Sequence, residues 1–166
     1  MQDILEKARQ IRLVIFDVDG VLTDGRLIYG AEGEALKQFH AHDGLGLVMA
    51  RVAGVKRAVL TGRNSGIVGR RCRELRFDAV KLGRFDKTAA LAEILAETGC
   101  EAAETLYMGD DLIDLPAIQR FEASDMVRTA FGAEVIEHYV HFARTEQRKF
   151  DEIVTCWERA RFFERI

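Results

Sequence analysis

The residues best suited to chemistry in this chain are two short acidic runs. Asp17-Val18-Asp19-Gly20 follows the apolar run Leu13-Val14-Ile15-Phe16, and Gly109-Asp110-Asp111, with Asp114 just beyond, follows Thr105-Leu106-Tyr107-Met108. Short apolar runs of this kind mark strands covered on both faces of a parallel sheet. Carboxylates at the C-terminal ends of such strands face the crevice where open α/β sheets bind ligands. Like charges a few ångströms apart repel unless a cation or a proton compensates. A hard divalent ion meets that need, because magnesium takes oxygen ligands and commonly binds one or two carboxylates together with water and a substrate phosphate. In extended geometry Asp17 and Asp19 share a side-chain direction while Val18 turns back into the core. Asp17 can then attack as a carboxylate nucleophile while Asp19 moves a proton.

A phosphoryl group as the target accounts for two further features. Thr61-Gly62 follows the strand-like Arg57-Ala58-Val59-Leu60 and offers a hydroxyl donor, and Lys87 at a helix start offers a point charge. Taken singly, Asp-Gly or Thr-Gly after a strand is a turn or a helix cap, and a lysine at a helix start is solvated. Two acidic runs in one chain, in this order relative to Thr61 and Lys87, favour a site.

Positioning these residues requires alternating strands and helices. The pattern predicts a short helix over 2–9, a strand at 13–16 and a hairpin over 26–39, whose arms Arg26 to Tyr29 and Ala35 to Phe39 flank Gly30-Ala31-Glu32-Gly33. It continues with a helix over 44–53, a strand at 57–60, a basic helix over 65–75 carrying Arg70, Arg71 and Arg73, and a short strand near Ala79-Val80. A helix over 87–97, a strand at 105–108 and a helical turn after Asp111 follow. This βα repeat implies a doubly wound, mostly parallel α/β sheet in a single domain over 1–166, with the hairpin projecting as a flap. In 145–165, Phe150, Ile153, Val154, Trp157 and Phe162 fall near helical spacing, which describes an amphipathic terminal helix covering the sheet or a neighbouring subunit.

Composition narrows the function. A chain of 166 residues encloses one core, and 48% hydrophobic residues with a single proline exclude a disordered chain. The formal charge of -3 supplies no basic excess for nucleic acid or anionic lipid. Cys72, Cys100 and Cys156 lack any Cys-x-x-Cys pairing, and His40 and His42 lack the i, i+4 spacing of a zinc pair, so neither a disulfide framework nor zinc is expected. No stretch reaches the roughly 18 apolar residues of a membrane span, and the N-terminus lacks a signal-peptide pattern. The expectation is a cytoplasmic protein acting on a small molecule.

The ordered set Asp17-Val-Asp-Gly-Val-Leu-Thr-Asp24, Thr61-Gly-Arg63, Lys87 and Gly109-Asp-Asp-Leu-Ile-Asp114 resembles the four motifs of the haloacid dehalogenase superfamily of phosphatases. Over roughly residues 10 to 120, with the flap, Phe39-His-Ala-His-Asp-Gly-Leu-Gly46 and Leu60-Thr-Gly-Arg-Asn-Ser65, it is similar to the small capless branch that contains the 3-deoxy-manno-octulosonate 8-phosphate phosphatases. The resemblance implies a magnesium-dependent phosphomonoesterase with Asp17 as nucleophile and Asp19 as general acid and base. It implies phosphate contacts from Thr61, Gly62, Arg63 and Lys87, and a magnesium ion on Asp17, Asp110 and the main-chain carbonyl of Asp19. Asp111 and Asp114 would position metal-bound water or Lys87, and a homotetramer would complete a site that no cap covers.

Two departures bear on the substrate. His42-Asp43-Gly44 stands where that branch usually has Arg-Asp-Gly, replacing a permanent cation and bidentate donor by an imidazole. The usual C-terminal Gly-Gly-x-Gly-Ala segment is absent, and His141-Phe142-Ala143-Arg144 leads into the terminal amphipathic stretch. Beside 3-deoxy-manno-octulosonate 8-phosphate as substrate stand a nine-carbon keto sugar acid 9-phosphate and a non-catalytic assembly module of the same fold. A dinucleotide binder is disfavoured by an acidic turn where G-x-G-x-x-G would follow the first strand.

Overall fold

The structure, a computed structural model, describes residues 8–114 and Ala117. In chain order the elements are β1 (Leu13–Phe16), β2 (Ile28–Gly30), β3 (Gly33–Leu36), α1 (Ala41–Val52), β4 (Lys56–Leu60), α2 (Gly66–Leu75), β5 (Ala79–Lys81), α3 (Lys87–Thr98) and β6 (Thr105–Met108). Single 3-10 turns occupy Ala102–Glu104 and Leu112–Asp114. The amphipathic segment over 145–165 and nearly all of the helix expected over 2–9 lie outside the described residues.

Four strands form one parallel sheet in the order β5-β4-β1-β6, the alternation of strand and helix that the βα pattern implies. β1 is central, with Phe16 opposite Val59 on one side and Met108 on the other, so β1, β4 and β6 end at one level. That shared edge carries Asp17, Thr61 and the segment leading to Asp110. Side-chain alternation assigns each face its own cover. Leu13, Ile15, Ala58, Leu60 and Ala79 pack with Ala90, Leu91 and Ile94 of α3, while Val18 and Val59 pack with Val68 and Cys72 of α2 and with Phe39 and Phe77. Burial pushes the Cys72 thiol up to about 11, which leaves it a poor nucleophile at neutral pH.

β2 and β3 pair antiparallel as the flap, with Tyr29 opposite Glu34 and Gly30 opposite Gly33, and its arms are shorter than the sequence pattern suggests. Among the described residues no cap domain is inserted into the sheet, nor is any helix long and apolar enough to cross a membrane. The helix expected at 44 starts at Ala41 instead, because the His40 ring accepts a hydrogen bond from the His42 amide at 3.2 Å and caps it. α2 and α3 begin where expected, capped by Ser65 on the Val68 amide and by Asp86 on the Thr88 and Ala89 amides.

A charged side chain is also buried away from the acidic runs. Arg57, in the middle of the sheet, is 1% exposed. It donates to the carbonyls of Leu47, Leu75 and Arg76 and to Asp78 Oδ2 at 3.0 Å, and it lies 5.8 Å from the centre of the Phe77 ring. The guanidinium thereby satisfies the Leu75 and Arg76 carbonyls at the α2 terminus, which lack an intrahelical donor, and ties them to Leu47 in α1. Arg57→Met keeps the volume but orphans these acceptors, and should lower the unfolding free energy by about 3 kcal/mol. A urea melt would read this as a lower midpoint at unchanged slope; an unaltered midpoint would show that solvent replaces the guanidinium.

Candidate active site

Asp17 is the first residue past β1 and is 5% exposed, its amide tied to the Met108 carbonyl at 2.8 Å. Lys87, the first residue of α3, is 1% exposed and extends its ammonium into the same crevice. Its Nζ lies 2.5 Å from Asp114 Oδ1 and 3.2 Å from Asp17 Oδ1. Asp114 is fully buried: Oδ1 also accepts from the Tyr107 hydroxyl, and Oδ2 accepts from the Asp111 amide at 3.0 Å. Asp110 completes the group, with Asp17, Asp110 and Asp114 each bringing an oxygen within 4.8 Å of the others.

Two glycines permit this approach. At Gly20, with φ +92°, a Cβ would stand 1.8 Å from Asp110 Oδ2, so a side chain there would displace the carboxylate. At Gly109 a Cβ would stand 2.3 Å from the Asp114 carboxyl carbon. Both acidic runs carry glycine because their backbones must pass against a carboxylate of the second run.

The electrostatics fit a missing positive charge. Burial raises the Asp17 carboxyl above its ordinary range, against the opposing pull of Lys87 and with a further push from the Asp114 charge. Asp110, although exposed, is raised by desolvation against the protein body and then by Asp114 and Asp111. Among the described residues no donor meets hydrogen-bond geometry at the buried Asp17 Oδ1, whose 3.2 Å approach to Lys87 is an ion pair. An orphaned carboxylate oxygen, a neighbouring exposed carboxylate and an all-oxygen donor set match a hard divalent cation such as magnesium. Asp114 contributes least to such a cation, because its oxygens already serve Lys87, Tyr107 and the Asp111 amide.

Asp19 lies apart from this carboxylate group. Its Oδ1 accepts from the Lys37 ammonium and from Thr23 Oγ1 at 3.4 Å, while Oδ2 faces Arg63 Nε at 3.6 Å. Lys37 follows β3, and its side chain is 1% exposed. Arg63 also reaches the flap, donating to the Tyr29 hydroxyl at 2.8 Å and lying 3.7 Å from Glu34 Oε1. Thr61 is 3% exposed at the end of β4, where its hydroxyl accepts from the Arg63 amide at 3.4 Å, and Gly62 is buried beside it.

The structure therefore brings Asp17, Lys87, Asp110 and Asp114 together, with Asp111 beside them through its amide. It sets Thr61 and Gly62 on the neighbouring strand end and attaches Asp19 and Arg63 to the flap. Sequence reasoning did not single out Lys37, Glu34 and Tyr29. The only signal was the placement of two charged residues and a tyrosine on hairpin arms, a pattern that solvated hairpins share.

No protein-family model matches the chain. Over 112 residues, 68% of its length, it is 47% identical to the 3-deoxy-D-manno-octulosonate 8-phosphate phosphatase of Haemophilus influenzae, of which the match spans 62%. The phosphatase of the same name from Escherichia coli is 38% identical over 128 residues, 77% of this chain and 68% of that protein. The crystal structure of the Moraxella catarrhalis 3-deoxy-D-manno-octulosonate 8-phosphate phosphatase, in complex with magnesium ion, phosphate ion and a KDO molecule, superposes with a TM-score of 0.66. That chain is 42% identical, and the match covers 71% of this chain and 68% of the other. With the parallel sheet, the flap and the paired acidic runs, these similarities establish that the chain belongs to the 3-deoxy-D-manno-octulosonate 8-phosphate phosphatase family of the haloacid dehalogenase superfamily.

Proposed function

We propose that this protein hydrolyses the phosphomonoester of a keto sugar acid, 3-deoxy-D-manno-octulosonate 8-phosphate, with magnesium as cofactor. The observation that carries the proposal is the buried Asp17 carboxylate, oriented by Lys87 at a shared strand edge and facing Asp110. Asp17 attacks phosphorus in line, the bond to the sugar oxygen breaks, and Asp19 gives that oxygen its proton. Water then attacks the aspartyl phosphate, Asp19 takes the water's proton, and inorganic phosphate leaves with Asp17 restored. Lys87, the Thr61 hydroxyl and the backbone at Gly62 and Arg63 balance charge on the phosphoryl oxygens. Asp17, Asp110 and the main-chain carbonyl of Asp19 would hold magnesium, which supplies charge neutralisation for the phosphoryl group. Asp114 and Asp111 position Lys87 and the second acidic run.

A nine-carbon keto sugar acid 9-phosphate is the second reading, favoured by His42. It stands exposed beside His40, with ring centres 5.0 Å apart, where the related phosphatases usually carry an arginine. The proposal includes a homotetramer in the cytoplasm. The flap leaves Tyr29 and Leu36 exposed, and α1 leaves Leu45, Met49 and Val52 exposed, apolar surface that a second copy would cover.

Phosphate release from 3-deoxy-D-manno-octulosonate 8-phosphate should require magnesium, and Asp17→Asn should reduce it at least about a thousandfold without loss of fold. A variant retaining near-wild-type turnover with the same magnesium dependence would remove Asp17 as nucleophile. A non-catalytic module would instead bind the sugar phosphate and release nothing.

Magnesium should raise the thermal midpoint, by the equivalent of about 2.7 kcal/mol at a hundred times its dissociation constant. Asp110→Asn should abolish most of that shift, and an undiminished shift in the variant would place the ion elsewhere. Lys87→Met should cost both activity and about 3 kcal/mol of stability, because two buried carboxylates lose their shared cation. Adding Asp114→Asn should recover stability but not activity, and parallel recovery of both would make Lys87 purely structural.

A further inference from the structure

The flap grips the proton-transfer residue through a buried ion pair that the phosphatase mechanism leaves unexplained. Lys37 sits at the foot of the flap with its side chain 1% exposed, and its ammonium pairs with Asp19 Oδ1 and lies 3.3 Å from Glu34 Oε1. A buried ammonium is unfavourable unless paired, so Lys37 holds its place only while both carboxylates face it. Glu34 is fastened in turn: it accepts from Ser65 Oγ, the cap of α2, and lies 3.7 Å from the Arg63 guanidinium. Burial alone would raise the Glu34 carboxyl, but the hydrogen bond from Ser65 and the neighbouring cations Lys37 and Arg63 bring it below the usual carboxylate range. Tyr29 on the other flap strand accepts from Arg63 at 2.8 Å. Both flap strands are therefore clamped to the segment after β4, and the clamp ends on the carboxylate of Asp19.

We propose that Lys37 is a positioning residue for proton transfer. Held by Glu34, it fixes the Asp19 carboxylate on the flap side of the crevice, where it meets the leaving oxygen of the substrate. The inference rests on the phosphatase reading above and adds to it that the flap, through Lys37, determines where Asp19 points. Asp17 and Asp19 are two residues apart and chemically identical, yet Asp17 faces Lys87 from α3 and Asp19 faces Lys37 from the flap. Among the described residues, the Asp19 side chain without Lys37 keeps only the Thr23 hydroxyl and the more distant Arg63, and rotates among its staggered positions.

The test uses the dependence on the leaving group. Departure of a sugar alkoxide needs a proton from Asp19, whereas p-nitrophenolate leaves as a stable anion, and kcat/KM reports only steps through that departure. Lys37→Met should lower kcat/KM with magnesium and 3-deoxy-D-manno-octulosonate 8-phosphate about thirtyfold, but with p-nitrophenyl phosphate less than about threefold. Glu34→Gln, which leaves Lys37 in place with a weaker anchor, should show the same selectivity at about fivefold, and carries the test if circular dichroism shows Lys37→Met unfolded. Equal losses for the two esters in a folded variant, or no loss for either, would overturn the inference and leave the phosphatase reading standing. A wild-type chain that releases no phosphate from the sugar ester would overturn the proposed function, and this inference with it.

Discussion

The site depends on one ammonium group. Lys87 is a fully buried cation whose charge is shared between Asp114 at 2.5 Å and Asp17 at 3.2 Å. Removing an ammonium from water costs several kcal/mol, which the interior returns only where opposing charges are close and well oriented. Here the orientation comes from secondary structure. Lys87 opens α3, whose buried Ala90, Leu91 and Ile94 lock it against the sheet, so the lysine stem leaves a rigid element. Asp114 is held from behind by Tyr107 and the Asp111 amide. Asp17 is consequently presented by a parallel sheet and faced by the first residue of a helix packed on it.

The same interaction leaves the site short of positive charge. Among the described residues one lysine stands against Asp17, Asp110 and Asp114, and the carboxyls of Asp17 and Asp110 are raised by burial and by their neighbours. A protein that needed only stability would disperse these carboxylates. Their convergence instead requires Gly20 and Gly109, positions where a Cβ would collide with a carboxylate of the second acidic run. Carboxylates brought together through side-chain-free backbone, with charge left uncompensated, point to an external cation completing the balance.

Much of this was legible from the sequence because it is local. The apolar runs before Asp17 and Asp110 announce buried parallel strands, and once the sheet is parallel their ends must meet at one edge. Lys87 was legible as a candidate from its position at a helix start in the right order, and the structure places it beside Asp17 and Asp114. The start of α1 was misplaced by three residues, because a histidine ring seldom caps a helix and His40 lies outside the usual capping residues. Arg57 reads as an ordinary strand residue until the carbonyls of two helices are seen to converge on it. Lys37 and Glu34 were hidden for a similar reason. Their partners, Asp19 and Ser65, are 18 and 31 residues away, and nothing in a hairpin's own pattern says which charged side chain folds inward.

Two aspartates separated by one valine can hold different tasks only if their surroundings differ. Between them Val18 is buried in the core, and their closeness in sequence does nothing to distinguish the two carboxylates. The difference is imposed from outside the strand. Asp17 is buried beside the first residue of α3, facing a lysine that it shares with Asp114. Asp19 is 19% exposed at its side chain and pairs with Lys37, which follows a hairpin that forms its own two-stranded sheet. A carboxylate on the rigid element is suited to form a bond in line, and one tied to the flap is suited to exchange a proton with whatever enters beneath it. With no cap inserted among the described residues, the hairpin is the element placed to make that distinction.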